Sequence, residues 1–275
     1  MMNYKLVAID LDGTLLNLEN NIPFDTHKII NDLCDKEVKI VLSSGRLRNS
    51  MQFYHDLLGV KQPIITSNGA QIILEDKEVF SKTMDLDDVK LIKNITLGHD
   101  PKAYIHIYSE GLFLANKPLY EYLEYDRFNR NLPEQYRLSY GLLNENTEKD
   151  LHQRNIYKVC IVCDTHEHLT KVRQEIEKVD KFEITSTHAC NIEVNVKNVS
   201  KGNALKWLAN ELDIDLNECI AIGDGWNDIS MIEMAGLGVA MGNACDDLKH
   251  KADIVLDETN RMGAVGLFLD RVFNQ

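Results

Sequence analysis

Short apolar runs that alternate with helix-like stretches are the feature that most constrains the fold of this chain. Residues 4–9 form one such run and residues 218–222 another. Runs of this length, bounded by turn residues, indicate buried strands. Because strands alternate with helices over residues 1–83, and again from residue 200 onward, the sequence predicts a parallel α/β sheet.

The middle of the chain has a different pattern. Residues 103–108 alternate aliphatic side chains with aromatic or polar ones, and a second apolar run, residues 112–115, follows a turn. This pattern is typical of an antiparallel hairpin with one polar face. An amphipathic helix is predicted over residues 165–179, and further strands over residues 182–185 and 192–196.

The two patterns predict two domains, one inserted into the other. At 275 residues the chain is long for a single core and sufficient for two. We expect a core domain from residues 1–83 and 191–275, and an inserted α+β domain from residues 84–190. The two chain crossings, where a hinge would lie, are expected near Leu86 and Asn191.

Two carboxylates stand where the first predicted strand ends. Asp10 and Asp12 follow the apolar run, and Gly13 allows the chain to turn away after them. The carboxyl ends of parallel strands form the edge of a sheet at which ligands bind. The two side chains can therefore project into one pocket with different roles, although an isolated pair of this kind is more often a charged corner.

The second predicted strand, residues 38–42, ends in groups that bind anions. It is followed by Ser43-Ser44-Gly45-Arg46, which presents a hydroxyl and closely spaced backbone N–H groups. Taken alone, such a segment more often reflects the preference of serine and glycine for turns.

Two later segments are also polar at their strand or helix ends. Ser200-Lys201-Gly202 opens a predicted helix, and a lysine in a first turn opposes the helix dipole, which indicates a nearby anion. A lysine at such a position without other context is more often simply solvated. The last predicted strand runs into residues 223–228, which carry two carboxylates and an amide among glycines.

Together and in this order, these four segments resemble the signature motifs of the haloacid dehalogenase-like phosphohydrolase superfamily. More narrowly, the chain resembles the Cof-type (IIB) branch of that superfamily. The matched motifs are D-x-D-G-T at residues 10–14, S-G-R at 44–46, N-G-A at 68–70, S-K-G at 200–202, G-D-x-x-N-D at 223–228, G-V-A-M-G-N-A at 238–244 and A-D at 252–253.

One departure from the pattern lies near the end of the chain. The branch usually has an acidic residue and Gly-Val after its final asparagine, whereas here Asn260 is followed by Arg261-Met262-Gly263. The departure concerns the conformation of that loop and not the residues that carry the chemistry.

The resemblance implies an α/β fold with a Rossmann-like parallel sheet core and an inserted α+β cap domain. It implies a Mg²⁺-dependent phosphatase that acts on small phosphorylated metabolites, such as sugar phosphates, pyridoxal phosphate or flavin mononucleotide, through an aspartyl-phosphate intermediate. Asp10 would be the nucleophile, and Asp12 would protonate the leaving oxygen and then deprotonate the attacking water.

The same resemblance implies a set of binding residues. Mg²⁺ would be held by Asp10, the backbone carbonyl of Asp12 and Asp224, while Asp228 would support both the metal and Lys201. The groups expected to bind the phosphate oxygens are the backbone N–H groups of Leu11 and Gly45 and the side chains of Ser44, Lys201 and Asn227.

Two other functions stay open at this point. A phosphomutase would pass the phosphoryl group from the aspartate to a second hydroxyl instead of to water. A non-catalytic sensor of phosphorylated metabolites would use the same scaffold, but the presence of every chemically required residue argues against it.

Composition limits the partners and the compartment. The net charge of −13 argues against nucleic acid and anionic membranes as partners. No apolar run is long enough to span a membrane, and a strand that begins at residue 4 leaves no room for a signal peptide, so we expect a cytoplasmic protein. Cys160 and Cys163 fall on opposite faces of a predicted strand, so we interpret them as small apolar residues and not as metal ligands.

Aromatic and charged side chains cluster within the insert. They suit the recognition of a phosphorylated polyol, although any single tyrosine at such a position more often serves packing. Because the chemical motifs lie outside residues 84–190, we expect the insert to set substrate choice, with Arg46 and Asn68 as the next candidates. The clustered residues are Tyr120, Tyr122, Tyr125, Asp126, Arg127, Arg130, Tyr136, Arg137 and Tyr140.

Overall fold

A computed structural model describes residues 4–59, 61–118, 129–130 and 132–274 of the chain. The chain divides into two compact units. The core unit comprises Met1–Gly45, Tyr54–Phe80 and Ser200–Gln275, and the inserted unit comprises Arg46–Phe53 and Ser81–Val199.

Strands alternate with helices along most of the described core unit, and the inserted unit contains both kinds of element. The strands are β1 (Leu6–Asp10), β2 (Lys39–Ser43), β3 (Ile64–Thr66), β4 (Gln71–Leu74), β5 (Lys77–Ser81), β6 (Tyr104–Ser109), β7 (Leu112–Ala115), β8 (Ser139–Leu142), β9 (Ile156–Val162), β10 (Phe182–Thr185), β11 (Asn191–Val196), β12 (Cys219–Gly223), β13 (Leu237–Ala240) and β14 (Ile254–Val255). The α-helices are α1 (Phe24–Asp35), α2 (Arg48–Leu58), α3 (Leu86–His99), α4 (Glu145–Leu151), α5 (His166–Glu177), α6 (Lys201–Glu211), α7 (Ile229–Met234), α8 (Asp246–Lys249) and α9 (Ala264–Phe273).

The core unit is built on one sheet with the strand order β14-β13-β12-β1-β2-β3-β4-β5. Neighbouring strands from β14 through β3 run parallel, and β4 returns antiparallel to β3. All five residues of β1 are buried, as expected for the centre of a sheet covered on both faces. The predicted α/β class, with a parallel sheet core and an inserted α+β domain, is confirmed.

The inserted unit contains a second sheet with the order β10-β11-β9-β6-β7-β8. Its strands are antiparallel except for β7 and β8, which pair in parallel. The predicted hairpin is β6 and β7, and the predicted helix is α5, which begins after Thr165. Apolar side chains of these strands form one core with α3 and α5.

The second predicted domain boundary, after residue 190, differs from the division in the structure. Strand β11 begins at Asn191 and pairs with β9 and β10, so it belongs to the inserted unit, which extends to Val199. Ile192 and Val194 of this strand join the core of the inserted unit. The pairing of a strand depends on partners distant in sequence, which its own residues do not specify.

A helix that spans a bilayer must be both long and predominantly apolar. Among the residues that the structure describes, no helix is both long and apolar enough to cross a membrane.

Candidate active site

Loops at the carboxyl ends of adjacent parallel strands carry the predicted site residues. Asp10 is the last residue of β1, and Asp224 directly follows Gly223, the last residue of β12. Ile9 pairs with Ile222, so the two strands end at the same level. This register brings the two aspartates to one edge of the core sheet.

The loop after β1, residues 11–16, is folded back on itself. The N–H of Leu16 donates to the carbonyl of Leu11 at 2.9 Å. Gly13 has φ +82°, a conformation that side chains disfavour, and a Cβ at this position would overlap the carboxylate of Asp224. The hydroxyl of Thr14 donates to Oδ1 of Asp224 at 2.8 Å. Glycine and threonine are therefore needed at these positions for the β1 loop to contact the loop after β12.

Lys201 lies buried between two carboxylates. Its Nζ is 2.5 Å from Oδ1 of Asp10 and 2.6 Å from Oδ1 of Asp228, and its side chain is 0 % exposed. Ser200 caps the helix by accepting from the N–H of Asn203, which fixes the first turn of α6 beside the carboxylates. Burial acts to lower the pKa of Lys201, but the two carboxylates hold it above its ordinary value.

Three carboxylates crowd together around this lysine. Asp10, Asp224 and Asp228 each place an oxygen within 4.8 Å of the others. Burial, and then the charge of Asp228, raise the pKa of Asp10 well above its ordinary value. The same two causes raise the pKa of Asp224 to about 7. One ammonium does not balance three carboxylates, so the cluster has an excess of negative charge. A hard divalent cation such as Mg²⁺ would balance this excess.

The hydrogen bonds of Asp228 show what this residue does. Oδ1 accepts from Lys201, and Oδ2 accepts from the backbone N–H groups of Asp224 at 3.0 Å and Gly225 at 2.9 Å. With both oxygens occupied, Asp228 orients Lys201 and holds the loop that carries Asp224. This arrangement favours the predicted supporting role of Asp228 over direct binding of a metal.

Asp12 differs from the clustered carboxylates. Its side chain is exposed, and its charge raises the pKa of Asp10 by less than burial, Asp228 or Asp224 does. A carboxyl group in contact with solvent can exchange protons, as a general acid and base must. The predicted contact of its backbone carbonyl with Mg²⁺ stays a prediction.

Three loops of the core unit meet at buried polar residues. The N–H of Asn68 donates to the carbonyl of Ser44 at 3.1 Å. Asn227 in turn donates from Nδ2 to Oδ1 of Asn68 at 3.2 Å. Ser44 and Asn227 are thus brought together, and Asn68 connects them. Phosphate binding by Ser44, Asn227, Lys201 and the N–H groups of Leu11 and Gly45 stays a prediction.

Two asparagines for which the sequence indicated no role hydrogen-bond to the β1 loop. Asn243 donates from Nδ2 to the carbonyl of Gly13 at 2.8 Å, and Asn260 donates from Nδ2 to the carbonyl of Leu16 at 2.8 Å. Asn243 stands in the G-V-A-M-G-N-A motif and Asn260 begins the segment that departs from the family pattern. Both positions were visible in the sequence, but no spacing connects them to the β1 loop.

The tyrosine and arginine cluster of the insert is described only in part. Tyr120, Tyr122, Tyr125, Asp126 and Arg127 lie outside the described residues. Tyr136 is half-buried and packs edge-on against Phe53, with ring centroids 5.5 Å apart. Arg137 donates from Nε to the carbonyl of Leu132 at 2.9 Å. At least these two side chains therefore contribute to packing and to local backbone structure.

A parallel sheet with an inserted α+β unit and an aspartate cluster at its carboxyl edge defines a class of protein, the haloacid dehalogenase-like hydrolases. The model of that family matches residues 7–269, so the chain belongs to it. The predicted resemblance, including the Cof-type (IIB) branch, is confirmed.

Particular relatives place the chain among phosphatases. It is 31% identical over 270 residues to phosphatase YwpJ of Bacillus subtilis, covering 91% of this chain and 94% of the relative. It is 30% identical over 257 residues to 5-amino-6-(5-phospho-D-ribitylamino)uracil phosphatase YcsE of the same organism, covering 93% and 91%. A solved haloacid dehalogenase-like hydrolase from B. subtilis superposes with a TM-score of 0.85 at 28% identity, covering 98% of this chain and 100% of that one. The predicted enzyme class, a phosphoric monoester hydrolase, is confirmed.

Proposed function

We propose that this chain is a Mg²⁺-dependent phosphatase that hydrolyses small phosphorylated metabolites through an aspartyl phosphate on Asp10. The observation that carries the proposal is the buried contact of Asp10 with Lys201, beside Asp224 and Asp228. Phosphate esters resist attack because their anionic oxygens repel an anionic nucleophile. A site that combines a nucleophile with fixed cationic groups removes this barrier.

The proposed first step forms a bond between a carboxylate oxygen of Asp10 and phosphorus. The bond from phosphorus to the ester oxygen breaks, and Asp12 donates a proton to that leaving oxygen. Lys201 holds one oxygen of Asp10 and so fixes the direction from which the other can attack. Because Asp10 must be ionised to attack, the positive charges around it are part of the chemistry.

Mg²⁺, held by Asp10, Asp224 and the backbone carbonyl of Asp12, would supply positive charge that keeps the aspartates ionised and offsets the charge of the phosphate. Ser44, Asn227 and Lys201 would bind the phosphate oxygens through their side chains, and Leu11 and Gly45 through backbone N–H groups. Asp228 keeps Lys201 and Asp224 in place by the hydrogen bonds described above.

The second step hydrolyses the aspartyl phosphate. Asp12, now ionised, removes a proton from a water molecule, which attacks phosphorus and releases inorganic phosphate from Asp10. Removal of this proton returns Asp12 to the protonated state in which it began, so the cycle closes without a further proton transfer. Asp12 thus donates a proton in the first step and accepts one in the second.

The proposed substrates are small phosphorylated metabolites, with a phosphorylated polyol or sugar as the preferred class. The relative YcsE is a phosphatase of 5-amino-6-(5-phospho-D-ribitylamino)uracil, which has a phosphorylated ribityl chain. The net charge of −13 disfavours nucleic acid and anionic membranes. A cytoplasmic location and control of substrate choice by the insert belong to the same proposal.

A phosphate-release screen over a panel of metabolites tests this proposal. With Mg²⁺ present, inorganic phosphate should be released from at least one sugar phosphate or polyol phosphate, and Asp10→Asn should abolish the release. Isomerisation of a sugar phosphate without release would instead identify a phosphomutase. Binding of phosphorylated metabolites with no Mg²⁺-dependent turnover of any phosphoester would identify a sensor.

A further inference from the structure

We propose that Asn243, oriented by Asn260, is a positioning residue that holds the β1 loop in the geometry needed for proton transfer by Asp12. The inference rests on the proposed function, in which Asp12 is the acid and base. It concerns a residue that touches neither the nucleophile nor the lysine, and that acts through the backbone on which Asp12 is carried.

Asn243 connects three parts of the site through one amide. Its Nδ2 donates to the carbonyl of Gly13 at 2.8 Å and lies 3.4 Å from Oδ2 of Asp224. Its Oδ1 accepts from the backbone N–H of Asn260 at 3.1 Å. Gly13 directly follows Asp12, so this bond restrains the peptide group between Gly13 and Thr14, one residue beyond the proposed acid.

Asn260 fastens the other end of the same loop. Its Nδ2 donates to the carbonyl of Leu16 at 2.8 Å, and its side chain is buried. The β1 loop is therefore tied at residue 13 by one asparagine and at residue 16 by the other. The two asparagines are also joined to each other, so the loop is held at two points by a single connected unit.

The β1 loop needs such restraint because its own backbone is irregular. Asp12 has φ −84° and ψ 119°, and Gly13 has φ +82°, so neither continues a helical turn. Asp12 is exposed and thus not fixed by burial. A shift in this loop would move its carboxyl group away from the leaving oxygen, and proton transfer depends steeply on such geometry.

The chemistry of the amide makes the proposal specific. Nδ2 must be a donor because it faces a carbonyl and a carboxylate, and Oδ1 must be an acceptor because it faces an N–H group. Asn243→Asp keeps the shape but places a carboxylate against the carbonyl of Gly13 and against Asp224. We therefore expect this near-isosteric change to be more damaging than Asn243→Ala, the reverse of what a packing role predicts.

Steady-state kinetics with p-nitrophenyl phosphate and Mg²⁺ test the proposal. For Asn243→Ala, kcat should fall by about 10- to 100-fold while KM changes little, and Asn243→Asp should lose more. Because Asn243 is exposed, the Tm of Asn243→Ala should match that of wild type. It should also match that of the control Asn210→Ala, which replaces an exposed asparagine on α6. A raised KM at unchanged kcat would overturn the proposal and make Asn243 a substrate contact, and wild-type kinetics would overturn it outright.

Hydrogen exchange gives a readout that does not depend on turnover. Amides of residues 11–16 should exchange faster in Asn243→Ala and Asn260→Ala than in wild type, and the control Asn210→Ala should leave them unchanged. Unchanged exchange in both asparagine variants would refute the positioning role even if activity fell. If wild type releases phosphate from no substrate, the proposed function fails, whereas faster exchange would still show that the asparagines hold the loop.

Discussion

In the described part of each unit, one lysine is buried against carboxylate, and the two clusters differ in charge. In the core unit, Lys201 contacts both Asp10 and Asp228, and Asp224 lies beside them. In the inserted unit, Nζ of Lys158 is 2.6 Å from Oε1 of Glu193, with side chains 3 % and 5 % exposed. Similar chemistry is thus buried twice in one chain.

The difference lies in what remains unbalanced. Lys158 and Glu193 form a neutral pair, and Nζ of Lys158 lies 4.5 Å from the centre of the Tyr108 ring. Burial, together with the charge of Lys158, lowers the pKa of neighbouring His106 to about 4. That histidine is neutral at physiological pH, so the inserted cluster has no net charge. The core cluster has one cation for three carboxylates. We infer that the balanced pair serves the fold and that the unbalanced cluster is kept for a cation and a phosphate.

Replacing the nucleophile should have the largest effect. Asp10→Asn keeps the shape of the side chain and an acceptor for Lys201 but removes the attacking carboxylate, so kcat should fall by about 10⁴-fold or more. Because burial and the neighbouring carboxylates outweigh Lys201 and oppose the ionised form of Asp10, the metal-free variant should melt no lower than wild type. Turnover of p-nitrophenyl phosphate and thermal unfolding in a chelator measure the two effects.

Asp32→Asn, at an exposed position of α1, is the matched control for this change and should behave as wild type. A variant at position 10 that retained a tenth of wild-type kcat would remove Asp10 from the role of nucleophile.

The metal requirement should separate Asp224 from Asp228. Asp224→Ala should raise the Mg²⁺ concentration for half-maximal activity by more than about 100-fold, and Asp228→Ala by about 10- to 100-fold. Since the pKa of Asp224 is raised to about 7, protons compete with the cation below that pH. The wild-type Mg²⁺ requirement should therefore increase as the pH is lowered from neutral, which Mg²⁺ titrations at several pH values measure.

Ca²⁺ should inhibit, because it prefers more ligands and a looser geometry than an in-line transfer tolerates. Equal activity in Ca²⁺ and Mg²⁺, or equal effects of the two alanine substitutions, would contradict this assignment of the metal ligands.

Breaking the neutral pair should cost stability and leave the chemistry intact. Glu193→Gln leaves the Lys158 ammonium buried without its charge partner, which should lower the free energy of unfolding by about 3–5 kcal/mol. The double substitution Lys158→Met with Glu193→Met should cost much less, because no charge is then buried. Denaturant unfolding measures both, and kcat is compared at a temperature where each variant is folded. A loss of kcat in the folded single variant would place this pair in substrate binding and end the contrast between the clusters.

The sequence predicted the parts of these clusters that follow from local pattern. Strand ends located Asp10 and Asp224, and the unfavourable place of Lys201 in a first helical turn indicated a nearby anion. The pairing of Lys158 with Glu193 was not predictable, because it depends on strands β9 and β11 being neighbours in a definite register.

The same limit applies to the asparagines that hold the β1 loop. Asn243 is separated from Gly13 by 230 positions in the chain, and its bond to that carbonyl is set by the order of strands β13, β12 and β1. The family motif marked the position of Asn243, but only the three-dimensional structure shows what the amide contacts.

The smallest expected effect concerns Asp100, a buried carboxylate of the inserted unit whose pKa shifts in the opposite direction to that of Asp10. It accepts from the N–H groups of Asp164 at 2.7 Å and Lys102 at 2.9 Å and lies 3.5 Å from Nδ1 of His168. Burial acts to raise its pKa, but these three partners hold it below the ordinary value.

A lowered pKa means that the ionised form stabilises the folded state above the unfolded-state pKa, and that this contribution is lost as the pH falls through the native pKa. Asp100→Asn should therefore lower the free energy of unfolding at neutral pH by about 1–3 kcal/mol, with kcat unchanged. Urea unfolding across the acid range should show a shallower decline for the variant than for wild type, and parallel declines would show that the charge of Asp100 contributes nothing to stability.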